Sequence, residues 1–566
     1  MNIKTITIVG GGSAGWLSAI FFKSIVPKIK VQVIESEDID ILGAGEGGVP
    51  IIFPFFRQCD IDINEFIKQC NGTIKLGVKF ENWCDNDYFH SFAGDFIKVS
   101  EIEWPDKTDD EISSDDYDEN HIYEIDKSIE KQQTTHFLKR MFYNLAYQNE
   151  SNFYDITSPF EKDGIPDKDL QSIANWTSEQ GMTGISFHFD ARLMVDYLKY
   201  LGKQRGIEVI NDEIVDVVHD HTGKILTLIS EKNQYDVDFC FDCTGESSTL
   251  MRRFDDFKYW NFDYLTLNRA LPFNLENGKD IDMWTKSIAL KNGWMWQIPL
   301  QNRVGCGYVF DGNYLSFGEA QLEVEEYLGL EIEPLKRIMF EPGYIDKSWN
   351  NNCIALGMSQ SFLEPLEATA LGHVVVQLTY IQRCWQKLND LYTEQSLDLS
   401  TLDELIWDDD DEMVTRLEYN ATNNNLIREI ADFIHMHYFT NKDDSEFWKT
   451  RKENFIYDGV KFDEEWDGIG ETTSYKLHTW QYMPVYYEPE YSFLKIFNEF
   501  NLLSIIDGLN IYDKAQRDQY IQQEYDGFGN VYEQLKSFVT ESKAQLNFNT
   551  LSQKDYLKKY GLVAKA

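Results

Sequence analysis

Lys75, Glu364, Glu367 and a pair of tryptophans are the side chains of this sequence that invite a chemical reading. Lys75 stands among the apolar Ile74, Leu76 and Val78, with Gly77 two residues on. In a confined site burial would lower the pKa of such an amine and make it a nucleophile or a hydrogen-bond donor. Taken alone it is a surface lysine, as most lysines are. Glu364 and Glu367 flank Pro365-Leu366, where a carboxylate can act as a general base or start a helix. Trp294-Met295-Trp296-Gln297-Ile298-Pro299 reads as a short strand ending at proline. Alternation puts both indoles on one face, where they can wall off part of a cavity.

Those groups need a scaffold, and the N-terminus supplies its clearest part. The strand-like run 5–9 leads into Gly10-Gly11-Gly12-Ser13-Ala14-Gly15, then a helix-like stretch over 16–24 and a second strand ending at Glu35. This is the order of a dinucleotide-binding βαβ unit. Gly10 allows the tight turn, Gly12 lets backbone approach the pyrophosphate, Gly15 allows close helix–strand packing, and Glu35 can accept from a ribose hydroxyl. The motif lies at the extreme N-terminus, as in many flavoproteins, and no second GxGxxG follows. FAD is the expected cofactor, with reducing equivalents arriving from elsewhere.

Organisation along the chain predicts an α/β fold. Strands alternate with helices through 186–250, implying a largely parallel sheet covered by helices. There Phe187-His188-Phe189-Asp190 opens a helix-like stretch, and 209–218 and 237–243 read as strands. Residues 101–130 are rich in Asp, Glu and Ser and read as an exposed excursion. Beyond about residue 375 the pattern turns helical and aromatic. The expected division is an FAD-binding Rossmann-like core of the flavin monooxygenase type over 1–375, interleaved with substrate-binding segments at about 51–185 and 255–345. A mainly helical region over 376–566 completes the substrate pocket.

Composition sets the outer bounds. The 566 residues are 43% hydrophobic and 14% aromatic, enough for a large core, and the formal net charge of −43 argues against nucleic-acid or anionic-membrane partners. Residues 1–9 read as a strand, so no basic, cleavable leader is expected, and no apolar run reaches membrane-spanning length. Eight cysteines over this length make no disulfide framework, so a reducing cytoplasm fits best. Cys240-Phe241-Asp242-Cys243 has CxxC spacing but reads as strand packing. Asp408-Asp409-Asp410-Asp411-Glu412 reads as a solvated helix start or loop, because metal ligands must converge rather than adjoin. No metal site is expected.

With these residues in view, the chain resembles the flavin-dependent halogenases of the tryptophan halogenase family. Gly10-Gly11-Gly12-Ser13-Ala14-Gly15-Trp16 is similar to the family's N-terminal GGGxAGW, and the 294–299 run matches its WxWxIP. Asn71-Gly72-Thr73-Ile74-Lys75 sits where the family carries its catalytic lysine, and Ser361-Phe362-Leu363-Glu364-Pro365-Leu366-Glu367 resembles the segment with its catalytic glutamate. Weaker echoes are His188-Phe189-Asp190-Ala191, Asp242-Cys243-Thr244-Gly245, Gly307-Tyr308-Val309-Phe310 and His437-Tyr438-Phe439. The tail beyond about 455 is only loosely similar.

The resemblance implies a relay in which FADH2 and O2 oxidise halide to hypohalous acid, which passes through a tunnel to a lysine beside the organic substrate. Lys75 would be that lysine, with Lys79 its rival by position. Glu367 would polarise the oxidant or take up the ring proton, with Glu364 as the alternative. The cofactor site would take Gly10, Gly12, Ser13, Ala14, Gly15, Glu35, Gly47, Ile214, Met358 and Leu371. Thr369 and Ala370 would meet the halide (chloride, bromide or iodide), His90 and Phe92 the substrate. Trp294 and Trp296 would keep that substrate from the flavin. A separate NAD(P)H-dependent flavin reductase is implied, and a homodimer is compatible.

Departures narrow the expectation. The family's Glu-Ser-Thr-Gly reads Glu367-Ala368-Thr369-Ala370 here. A Cβ at Ala370 limits positive φ and crowds the halide, which suggests a preference for bromide or iodide. No tryptophan near 493–500 completes an indole sandwich, so the expected substrate is a small electron-rich aromatic, indolic or phenolic, rather than free tryptophan. A flavin-dependent aromatic monooxygenase is the alternative function, and an inactive FAD-binding protein the third reading.

Overall fold

The computed structural model describes residues 1–38, 45–92, 164–173, 184–389, 399–454, 496–497, 499–510, 514–524 and 549–564, with short pieces between 533 and 544. The acidic stretch 101–130, and Phe493 in the tail, lie outside the described residues.

The glycine-rich start folds as β1 (Thr5–Val9), α1 (Ser13–Ile25) and β2 (Lys30–Glu35). Next come β3 (Glu46–Gly47), β4 (Thr73–Lys75), β5 (Gly77–Glu81) and β6 (Tyr88–Ser91). They are followed by β7 (Ser186–Phe189), α2 (Ala191–Gln204), β8 (Glu208–Asn211) and β9 (Phe239–Asp242). A run of strands then forms: β10 (Arg269–Leu275), β11 (Thr285–Leu290), β12 (Gly293–Pro299), β13 (Val304–Phe310), β14 (Ile338–Met339), β15 (Trp349–Asn350) and β16 (Cys353–Ala355). The helices that close the site are α3 (Thr369–Leu388), α4 (Asp409–Met436) and α5 (Glu499–Leu509).

Two large sheets organise these elements. The first has the order β8-β2-β1-β9-β16-β15 and is parallel except for the β15–β16 hairpin. Its central strands are apolar on both faces because α1 and α3 cover one face and Ile214, Ile225, Leu228, Met251 and Phe254 pack on the other. The second, β14-β10-β13-β12-β11-β5-β6, is antiparallel apart from the β11–β5 pair. The expected parallel sheet is therefore only half of the scaffold, and the other half joins segments near 80 and near 300 side by side. A small third sheet, β3-β7-β4, links the two.

Two local readings change. The run 209–218 is not one strand: β8 stops at Asn211, where the Asp212 carboxylate gathers Ser230 (2.6 Å), Tyr235 (2.6 Å) and Asn233 (2.9 Å). The chain then enters a separate three-stranded sheet at Ile214. Residues 186–189 form strand β7 rather than a helix. The helix starts only after Asp190, whose side chain accepts from the Arg192 and Leu193 amides at 3.0 and 3.2 Å.

WxWxIP lies in the middle of the second sheet. Trp294 and Trp296 share a face, with ring centroids 6.3 Å apart, and pack with Phe80 and Trp83 of the 77–83 segment and with α4. Met295 points to the other core. Trp296 lies opposite Gly307, where a Cβ would collide with the indole. Each indole buries ~150–250 Å², worth on the order of 4–6 kcal/mol as an upper bound. The motif is thus a large structural element in its own right. Among the described residues no helix is long and apolar enough to cross a membrane.

Candidate active site

The turn between β1 and α1 is shaped for a dinucleotide phosphate. Gly10 adopts φ +111°, and a Cβ at Gly11 or Gly15 would collide with the Glu35 carboxylate or the Gly10 carbonyl. A Cβ at Gly12 would meet nothing within 4 Å among the described residues, so this side is an open cradle. Ser13 begins α1, which has no side-chain cap and no acid in its first turn, leaving its amides for an anion. Gly357, at φ +63°, brings the Met358 turn so close that a Cβ there would lie 2.8 Å from the Ala14 methyl. These residues fit the pyrophosphate of FAD. Glu35, at the end of β2, already accepts from Trp16 Nε1 (2.9 Å) and pairs with Lys199. Ile214 packs with Val9 and Ile34 beyond it.

Lys75 stands at the end of β4, directly opposite Ser186 of β7. Strand β7 separates β4 from β3, and the lysine reaches across it: a Cβ at Gly47 of β3 would lie 2.8 Å from Nζ. The lysine is fully buried, and its ammonium, like the Ser186 hydroxyl, has no hydrogen-bond partner among the described residues. Nζ lies 4.8 Å from the centroid of the Phe92 ring. Burial lowers the pKa to about 7, with the Glu367 charge opposing. His188, between Thr73 and Thr285 at 3.0 Å each, is held neutral by burial and by Lys75. Lys79 is different: it pairs with Glu81 (2.7 Å) and Asp87 (3.4 Å) and is part-exposed.

Glu367 is fully buried and close enough to Lys75 for its charge to act on the amine. Burial alone would raise its pKa. His90 and His437 outweigh that and hold it down at about 2. Both histidines bond Oε1, His90 Nδ1 at 2.9 Å and His437 Nε2 at 2.8 Å, while Oε2 has no partner among the described residues. His90 meets Phe92 edge-on at 6.4 Å and lies 6.5 Å from Phe497, which stacks on Phe433 at 3.7 Å. Glu364 points elsewhere. It accepts from Tyr438 (2.6 Å) beside the Trp294 indole, and burial pushes it up to about 8. The two glutamates therefore differ in charge near neutral pH.

The segment after Glu367 forms the N-terminus of α3. Thr369, Ala370 and Leu371 are its first three residues, behind N-cap Ala368, which supplies no side-chain cap. Positive φ falls on Ala368 (+54°), not on Ala370. Helical Ala370 carries no backbone strain, and that part of the argument for a changed halide preference falls away. A Cβ at Gly372 would collide with Val49, so the start of α3 rests on the segment beside Gly47.

His437, Phe497 and Ser186 were not singled out from the sequence. Only the echo His437-Tyr438-Phe439 offered a signal for the first. The CxxC pair is buried in and just after β9, with all eight cysteines free. Asp408 is indeed a helix N-cap, bonded to the Asp410 amide at 2.8 Å.

Comparison with known proteins agrees with this architecture. The tryptophan halogenase family model matches residues 5–487. Tryptophan 7-halogenase RebH from Lentzea aerocolonigenes is 26% identical over 474 residues, covering 81% of each chain. Tryptophan 6-halogenase SttH from Streptomyces toxytricini is 26% identical over 473 residues, covering 81% of this chain and 83% of that one. Among solved structures, a tryptophan halogenase from Shewanella frigidimarina superposes with TM-score 0.77 at 21% identity, covering 100% of this chain and 99% of that chain. A flavin-dependent halogenase from Xanthomonas campestris gives 0.72 at 22% identity, covering 100% of both. The chain belongs to the tryptophan halogenase family and is a flavin-dependent halogenase, an oxidoreductase.

Proposed function

We propose that this halogenase installs halogen on a small electron-rich aromatic, indole- or phenol-like, through Lys75 and Glu367. The observation that carries the reading is the buried Lys75 amine, without a partner among the described residues and lowered in pKa to about 7, within electrostatic reach of a Glu367 that keeps Oε2 unpartnered among the described residues. Gly10, Gly12, Ser13, Ala14, Gly15 and Met358 would hold reduced FAD, with Gly47 and Leu371 lining its site, and the bound group would supply the oxidation of halide by O2 to hypohalous acid. A separate NAD(P)H-dependent reductase supplies the electrons.

Lys75 then fixes the oxidant. As an ammonium it hydrogen-bonds hypohalous acid; as a free amine it takes the halogen and water leaves. Attack by the ring forms the carbon–halogen bond and breaks the oxygen–halogen or nitrogen–halogen bond. Hydroxide leaves as water with a proton from the Lys75 ammonium, or the protonated haloamine releases the Lys75 nitrogen as the free amine, and Glu367 Oε2 accepts the ring proton. Phe92 and the face of His90 position the ring, while Trp294 and Trp296, packed with Phe80 and Trp83, keep substrate from the flavin. Amides at the start of α3, at Thr369 and Ala370, receive the halide. Bromide or iodide, more easily oxidised than chloride, is the preferred halide in this reading.

The test supplies FAD, a flavin reductase, NADH and a panel of indoles and phenols, with chloride, bromide and iodide in parallel, and reads products by mass. The expected product carries the added halogen's isotope pattern and is lost at least ~100-fold in Lys75→Ala, while flavin reoxidation continues. Addition of one oxygen whatever the halide would assign an aromatic monooxygenase instead. Equal yields from all three halides would remove the halide preference.

A further inference from the structure

The small sheet that carries Lys75 places a row of polar groups on one face. In the antiparallel pair of β4 with β7, Thr73 lies opposite His188 and Lys75 opposite Ser186. Residues directly opposite in such a pair point to the same side, and 73 and 75 share a side because side chains alternate along a strand. All four side chains are fully buried.

One half of the row satisfies itself. Thr73 Oγ1 donates to the Pro299 carbonyl at 2.6 Å. That spends its one hydrogen, so toward His188 Nδ1, 3.0 Å away, it accepts. His188 Nε2 meets the Thr285 hydroxyl at 3.0 Å. The other half differs. Neither Lys75 Nζ nor Ser186 Oγ has a hydrogen-bond partner among the described residues, so the two do not bond each other. Buried polar groups are normally paired, and two bare ones side by side mark a place where a polar ligand binds.

The neighbouring backbone is fitted to both atoms. A Cβ at Gly47 would lie 2.8 Å from Nζ, and one at Gly48 2.8 Å from Oγ. Neither glycine has a positive φ, so these positions use the missing Cβ rather than glycine's conformational freedom. Gly48 is held in place by its amide, which donates to the Phe187 carbonyl at 2.8 Å. Side chains at 47 and 48 would push the ammonium and the hydroxyl out of the positions they share.

We propose that Ser186 is a further catalytic residue, whose hydroxyl and Lys75 Nζ form a two-point receiver that donates twice to the oxygen of hypohalous acid. The inference rests on the role given above to Lys75. That oxygen has two lone pairs, one for each donor. When the ring attacks, the carbon–halogen bond forms and the oxygen–halogen bond breaks, its electron pair staying on oxygen. The oxygen takes a proton from the Lys75 ammonium and leaves as water, while the ring proton goes to Glu367. Ser186 keeps its own proton, and its hydrogen bond strengthens as charge builds on the oxygen. Before attack, the same bond holds the oxidant against escape.

A crystal structure of the apoprotein gives the first test, with water as the probe for the oxygen of hypohalous acid. One ordered water should lie within hydrogen-bond distance of both Nζ and Oγ. No water common to the two atoms would overturn the proposal. Turnover gives the second test. Per flavin oxidised, Ser186→Ala should form about tenfold less halogenated product and release more hypohalous acid to a soluble scavenger. Removing an unpartnered buried hydroxyl costs little stability, so this variant should melt no lower than the wild type. An unchanged yield overturns the proposal. A lost yield with a lowered melting temperature does so too, because the hydroxyl would then be a structural group. Absence of halogenated product from the wild type would refute the functional reading alone, since the shared water needs no turnover.

Discussion

Lys75 costs the fold stability for the sake of its chemistry. An amine with an ordinary pKa of 10.5 is held at about 7 by burial, so the folded state resists a proton that the unfolded chain accepts. The sign follows from linkage: between about pH 7 and 10.5 the unfolded chain binds more protons, and stability rises with pH through that window. Below pH 7 the full penalty, several kcal/mol, is present. Lys75→Met, of similar shape and uncharged, should therefore melt at higher temperature than the wild type at pH 6.5. The gain should shrink steadily toward pH 10, while halogenation is lost. A melting difference independent of pH would mean that Lys75 is not the buried, proton-resisting amine described here. Glu364 shows the same physics with the opposite sign: burial favours its proton, and Tyr438 alone does not reverse that.

At the scale of elements, the site depends on short strands and helix ends rather than on long regular segments. Lys75 reaches Gly47 because β7 between them presents the small Ser186 opposite the lysine, and because Gly47 has no side chain. The start of α3 carries the other constraint. Ala368 is left-handed at φ +54°, a conformation costing a non-glycine residue roughly 1 kcal/mol. Ala368→Gly should relieve it and raise the melting temperature while leaving the amides of Thr369 and Ala370 in place, so halogenation should persist. A lowered melting temperature would show that the turn is not strained. The WxWxIP strand works by bulk: Trp296 lies against Gly307, and Gly307 is what lets the indole lie flat on β13.

For the whole molecule, charge is the dominant property. A formal net charge of −43 makes the compact state repel itself, and salt screens that repulsion over about 10 Å at 0.1 M. Melting temperature should rise between 20 and about 300 mM salt, and equally for sodium chloride and sodium acetate. A rise seen with chloride alone would point to halide binding rather than screening. The two-sheet layout also explains why the lysine and glutamate are almost three hundred residues apart. Lys75 belongs to the small sheet linking the halves, and Glu367 to the turn that enters the helix packed over the first.

What the sequence determined by itself was local. The β1–α1–β2 unit was legible because glycine spacing, strand and helix are neighbours in the chain. WxWxIP was legible as a strand because alternation is a two-residue period, and Lys75 and Glu367 stood out because motif residues lie beside them. Tertiary structure decided everything that needs convergence. The second sheet is completed by the parallel pairing of β5, near residue 80, with β11, near 290, which no local pattern encodes. The strand at 209–218 breaks because Asp212 finds Ser230, Asn233 and Tyr235 across a turn. Glu367 rather than Glu364 is ionised because two histidines, 277 and 70 residues away in sequence, share its oxygen. A pKa is a property of surroundings, and in this site those surroundings come from β4, β6, the start of α3 and the end of α4, which only the fold assembles.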